Sequence, residues 1–222
     1  MPNRRTPRIS TRKEPKQARS TRLVADILEA AIHVLTRHGA HRFTTARVAE
    51  RAGVSVGSLY QYFPNKEAIL FRLQTDEWKQ TSGLLQEMLA DPTLPPPDRL
   101  SAMVQAFFKS EVEEAAMRGA LADAAPLYRD APEAEAHRKA GRRRFLLFMR
   151  EALPGVSAQE RGVAADIIMM SMGAVGAQVS EEGRSPAEVE HLAAAMGDMF
   201  AAYLGRLTSK VSTAVETARR LS

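Results

Sequence analysis

Apolar residues recur at three- and four-residue intervals along most of the chain, the period of one face of a helix. Val24, Ile27, Leu28, Ala31, Val34 and Leu35 form the first stripe, and Gly39 closes it, since glycine takes a left-handed conformation at least cost. A short helix is expected from about Thr45 to Ala52, with Thr44 as its N-cap and Gly53 as its stop, and a second follows Ser55. Pro64-Asn65 then breaks the chain. Asn65 can cap a long helix to about Leu89, with Ile69, Leu70, Leu73, Leu84, Leu85 and Met88 apolar. Four prolines between Asp91 and Pro97 end it. Beyond them Leu100, Met103, Val104, Phe107 and Phe108 make another amphipathic stripe. Shorter helical pieces are expected around Arg118 to Ala125 and from Pro132 to Leu153. Two capping boxes, Ser157 with Glu160 and Ser185 with Glu188, announce the last two helices. Strand-like alternation and internal repeats are absent from the sequence, so the expected fold class is all-α: an N-terminal three-helix domain with a helix-turn-helix, then a larger helical domain.

Charge sharpens this division. The 222 residues carry a net charge of +5, but residues 1–72 hold 14 Lys and Arg against 5 Asp and Glu. The remainder is mildly acidic. A basic first third implies a polyanionic partner, because Lys and Arg that neutralise phosphates release condensed counterions. The expected organisation is a basic arm over 1–19, a DNA-binding domain over 20–68, and a helical domain over 69–222. In the arm, Arg4, Arg5, Arg8 and Arg12 are candidates for phosphate or minor-groove contacts.

The segment from Phe43 to Glu67 carries the most chemistry. Two short helices that cross closely need a small residue at the crossing and a turn residue that tolerates positive φ; Ala49 and Gly53 stand at those places. Val48, Ala52, Leu59 and Phe63 supply the inward apolar contacts. The outward face of the second helix then presents Ser55, Val56, Gly57, Ser58, Tyr60, Gln61 and Tyr62. Hydroxyls and an amide can bond base edges, and Val56 can touch a thymine methyl. No acidic residue lies between Arg51 and Lys66, which suits a surface facing phosphates.

The run from Ser20 through Leu70, above all FTTARVAERAGVSVGSLYQYFPNKEAIL, resembles the DNA-binding domain of the tetracycline-repressor (TetR) family. The resemblance implies that Thr45, Tyr60, Tyr62 and Lys66 grip phosphates, and that Ser55, Val56, Gly57, Ser58 and Gln61 approach bases. Gln61 stands where many members carry an aromatic. The resemblance also implies a second domain that dimerises and binds a small effector which weakens DNA affinity.

Within 69–222, Trp78, Phe107, Phe108, Tyr128, Phe145, Met149 and Met169 are candidates to line an effector pocket, which bundles form readily between helices. Small residues at Gly173, Ala174, Gly176 and Ala177, and at Ala193, Ala194, Gly197 and Ala201, are expected to bring the last two helices into a homodimer interface. The absence of cysteine excludes disulfides and thiolate metal sites and fits a cytoplasmic location. The N-terminal residues do not read as a secretory signal. The apolar run from Val163 to Val179 contains Asp166 and reads as an interface helix, so no membrane partner is expected. The five histidines are scattered without metal or triad spacing, so no catalytic residue, metal or cofactor is expected. The expected partners are a double-stranded DNA operator, a second copy of the chain and a small-molecule effector. A competing expectation is a constitutive, architectural DNA-binding protein whose helical domain only dimerises.

Overall fold

The computed structural model describes residues 9–12 and 18–220, with the backbone alone at 212 and 214–220. Among the described residues every regular element is helical: α1 (Ala18–Arg42), α2 (Thr45–Arg51), α3 (Val56–Tyr60), α4 (Lys66–Ala90), α5 (Pro96–Glu113), α6 (Ala115–Ala124), α7 (Pro132–Ala152), α8 (Ala158–Glu182) and α9 (Pro186–Arg220), with a 3-10 turn over Ala125–Leu127.

Local chemistry sets the boundaries. Gly39 has φ 70°, which interrupts α1 three residues before its end. Thr44 and Ser55 accept from the backbone N–H groups of Arg47 and Ser58, capping α2 and α3. The Ala68 N–H donates to Asn65 Oδ1 at 2.8 Å, so α4 has its expected cap. Ser157 and Glu160 form a reciprocal capping box on α8, which ends at left-handed Gly183. Ser185 and Glu188 exchange the same pair of bonds at the start of α9. Each such cap satisfies N–H groups that the first helical turn leaves without partners.

The chain folds as two compact units, one of residues 1–80 with 116–137, the other of 81–115 with 138–222. This differs from the linear division at residue 68. Leu121, Ala124, Tyr128 and Ala131 join the core of the first unit, beside Ile27, Leu35, Phe43, Phe63, Ile69 and Leu70. Within that unit Glu77 of α4 pairs with Arg118 of α6 at 3.0 Å, both side chains almost enclosed. Tyr128 donates its hydroxyl to Gln74 Oε1 at 3.0 Å. Burial, together with the Glu77 charge, pushes the Tyr128 phenol well above its ordinary range.

In the second unit α5 packs chiefly along α9 and also against α8. Glycines permit the approach. A Cβ on Gly176 would stand 2.7 Å from the Phe107 ring, and one on Gly197 would stand 3.3 Å from Ser101 Cα. Three of the small residues expected at a dimer interface, Gly176, Ala193 and Gly197, are therefore turned inward, whereas Gly173, Ala174, Ala177 and Ala194 are exposed. Small residues favour close packing, but their spacing does not say which helix approaches. By length and composition alone α8 could cross a membrane. Its Asp166 instead takes a bidentate contact from Arg142 of α7, at 2.6 and 2.9 Å. That bond holds the Asp166 carboxyl below the ordinary aspartate range.

Candidate nucleic-acid interface

The first unit builds the interface on a short helical corner. Gly53, at φ 66°, turns the chain between α2 and α3. Val48 and Ala49 from α2, with Leu59 and Phe63 from α3 and its exit, are almost entirely buried. α3 is only five residues long and has little stability of its own, so these anchors fix its direction.

Opposite the anchors Val56 and Tyr60 are each 39% exposed, and Ser55, Gly57 and Gln61 are exposed too. The Tyr60 hydroxyl lies 3.2 Å from Thr45 Oγ1, joining the start of α2 to the end of α3. Ser55 and Ser58 hydroxyls are 2.8 Å apart, and Ser55 also accepts the Ser58 N–H, so this pair is partly committed to capping. Lys66 is half-buried at the first position of α4. Arg47, exposed on α2, donates to the Arg42 carbonyl at 3.0 Å. That bond is not legible in the sequence, because a single surface arginine has no distinguishing pattern.

Two expectations change. Tyr62 is 6% exposed and belongs to the core with Phe63, because it stands three residues after Leu59 and so shares the inward face of the turn. It is a packing residue rather than a member of the outward face. Arg12 is held against α3: its N–H donates to the Tyr62 carbonyl at 2.8 Å and its guanidinium to the Tyr60 carbonyl at 3.3 Å. Arg4, Arg5 and Arg8 lie outside the described residues.

The second unit contains a cavity of about 590 Å3 between the C-terminal half of α4 and helices α5, α7 and α8. Of the seven pocket candidates Phe107, Phe145 and Met169 line it. Met149 is wholly buried in the core, and Phe108, equally buried, borders a separate cavity of about 580 Å3 between α5 and the start of α9. Trp78, stacked on His137 at 4.7 Å, and Tyr128 belong to the first unit. Leu85, Leu89, Met103, Phe148 and Met172 complete the apolar wall, and exposed Arg144 stands at its edge. An amphipathic stripe distinguishes buried from exposed positions, not cavity from core, which is why the sequence does not single these out. Beside the wall Arg99 pairs with Glu151, donates to the Leu89 carbonyl at 2.8 Å, and lies over the Phe148 ring. Among the described residues no group of three or more His, Asp or Glu is placed to hold a metal ion.

Comparison with known proteins bears on both units. The chain is 33% identical over 98 residues to the transcriptional regulator BetI of Escherichia coli, which covers 43% of this chain and 50% of BetI. It is 36% identical over 61 residues to the fatty acid metabolism regulator protein of Bacillus subtilis, covering 28% and 31% of the two chains. The chain thus spans between a third and a half of the length of these curated relatives. Two solved structures share the fold. The fatty acid degradation regulator FadR of Bacillus halodurans has a TM-score of 0.63 at 19% identity, covering 85% of this chain and 97% of its own. FadR of Bacillus subtilis in complex with stearoyl-CoA has 0.60 at 18% identity, covering 80% and 97%. Residues 27–73 match the bacterial regulatory proteins of the tetR family, and residues 95–207, half of the chain, match the tetracyclin repressor-like C-terminal domain. This chain belongs to the TetR family of bacterial regulatory proteins.

Proposed function

We propose that the chain is a cytoplasmic, non-enzymatic, homodimeric repressor that binds a specific DNA operator and releases it when an apolar small molecule enters the cavity of the second unit. One observation carries this reading: α3 presents Val56, Gly57, Tyr60 and Gln61 outward on a corner with no acidic residue between Arg51 and Lys66. In a major groove these groups meet base edges, while Thr45, Tyr60 and Lys66 grip phosphates and set the register. Gly57 lets the backbone approach a base, and the arginines of the arm, Arg4, Arg5 and Arg8, add electrostatic grip.

Dimerisation has its own support. On α8, Val163, Ile167 and Met170 are exposed at 51%, 45% and 72%, and Ala174 and Ala177 continue the stripe. Met199 adds an exposed apolar group on α9. A continuous apolar stripe of this kind marks an interaction site. Self-association around a two-fold axis covers it and pairs two recognition helices for successive major grooves, roughly 34–36 Å apart.

The apolar wall of the cavity favours an effector with a long hydrocarbon part, and the stearoyl-CoA in complex with FadR of Bacillus subtilis has that chemistry. A purely architectural helical domain has no use for such a cavity. The test of the main reading is an anisotropy titration of a duplex selected by the protein from a random pool. A grip of several phosphates predicts a loss of about 10³ or more in affinity between 50 and 200 mM salt. An affinity that barely changes refutes it.

A further inference from the structure

The segment Ile9–Arg12 is the least expected part of the first unit. Ile9 is 2% exposed and shares a buried cluster with Leu59, Tyr62 and Phe63. Three residues later Arg12 makes the two bonds to the carbonyls of Tyr60 and Tyr62 described above. The family match begins only at residue 27, so this segment lies outside it.

We propose that Ile9 and Arg12 form a clamp on the exit of the recognition helix and act as positioning residues for its DNA-facing side. A helix of five residues lacks the length to hold its own last turn, and its final carbonyls have no intrahelical donors. Arg12 supplies two donors there, and its positive charge sits at the negative end of the helix. Ile9 fastens the donor segment by burying its side chain in the same core that anchors Leu59 and Phe63. The helix is thereby held from two sides, by its own apolar face and by the clamp. Tyr60 gains most, because its carbonyl is bonded to Arg12 while its hydroxyl reaches Thr45. A shift at the α3 exit displaces both Tyr60 and Gln61 from any base or phosphate they meet. The basic arm thus has two parts: an electrostatic one ahead of Ile9 and a mechanical one over Ile9–Arg12.

This inference concerns the geometry of the corner and can be tested without DNA. The full-length protein, Ile9→Ser, Arg12→Ala and a variant lacking residues 1–8 are compared by hydrogen exchange at the amides of Leu59, Gln61, Tyr62 and Phe63, all bonded within the α3 turn. Loss of the clamp accelerates their exchange about tenfold in Ile9→Ser and, because alanine keeps the backbone bond to Tyr62, about threefold in Arg12→Ala, with α8 and α9 unchanged, whereas removal of residues 1–8 leaves them protected. In anisotropy titrations the same two substitutions lower the ratio of affinity for the selected duplex to that for a scrambled duplex about fivefold. The truncation instead lowers both affinities together and flattens the salt dependence. Unchanged exchange at residues 59–63 in both substituted proteins overturns the clamp. So does an Arg12→Ala protein that loses about one unit of salt slope with its specificity ratio intact, since Arg12 is then only a phosphate contact.

Discussion

Exchanging Glu77 for glutamine probes what holds α6 against α4 within the DNA-binding unit. Glu77 is 7% exposed; its carboxylate lies 3.0 Å from the Arg118 guanidinium and accepts from Gln74 Nε2 at 3.0 Å. The Arg118 side chain is 13% exposed, so water screens the pair poorly. Breaking a buried pair by removing one partner costs typically about 3–5 kcal/mol, because the remaining charge stays desolvated. Glutamine keeps the volume and one acceptor oxygen, which moves the expected loss to about 2–3 kcal/mol. For a chain of this size that lowers Tm by about 4–12 °C. Urea and thermal unfolding followed by circular dichroism measure it, at matched protein concentration because dimerisation makes Tm depend on it. The double variant Glu77→Gln/Arg118→Met removes the second buried charge as well and regains part of the loss. A Glu77→Gln protein within about 0.5 kcal/mol of the parent refutes the reasoning. A double variant less stable than the sum of its singles does so as well.

Other substitutions address the corner, the cavity and the interface. Gly53→Ala places a side chain at φ 66°, so it costs about 1–2 kcal/mol and weakens DNA binding further than its melting temperature implies. Gly176→Ala is close to neutral in a thermal melt, since a gain in helix propensity of about 1 kcal/mol offsets the displaced Phe107 ring. The same ring moves into the cavity, so calorimetric binding of a fatty acyl ligand weakens; unchanged binding separates Phe107 from the effector site. Met170→Asp puts a charge in the exposed stripe of α8, and if that stripe forms the proposed dimer interface, sedimentation velocity reports a smaller species than for the parent; an unchanged sedimentation coefficient refutes the interface. Because Arg142 lowers the Asp166 pKa from its ordinary 3.8, that pair stabilises the fold above the ordinary aspartate range, and the contribution fades as pH falls through the depressed value. The stability gap between Asp166→Asn and the parent narrows as pH falls below the ordinary aspartate range, and a gap that stays constant through acid unfolding contradicts the assignment.

Elements governed by near neighbours were legible in the sequence. Thr44, Asn65, Ser157 and Ser185 cap the helices they were expected to cap, and Gly39 and Gly53 take the positive φ their positions require. A cap is a bond between residues three apart, so its information lies within one turn of chain. The helical corner with Ala49, Leu59 and Phe63 inward was legible for the same reason.

Tertiary structure decided what each apolar face meets. Phe107 and Phe108 are consecutive and equally apolar, yet they border different cavities, because successive helical positions point about 100° apart. Gly176 and Ala177 divide likewise, one against Phe107 and the other exposed. Arg12 finds the carbonyls of Tyr60 and Tyr62 across nearly fifty residues of sequence. The return of residues 116–137 to the first unit is of the same kind. Periodicity records that a position is buried, whereas its partner depends on where distant helices come to rest, so the DNA-reading corner was readable from its own residues and the clamp behind it was not.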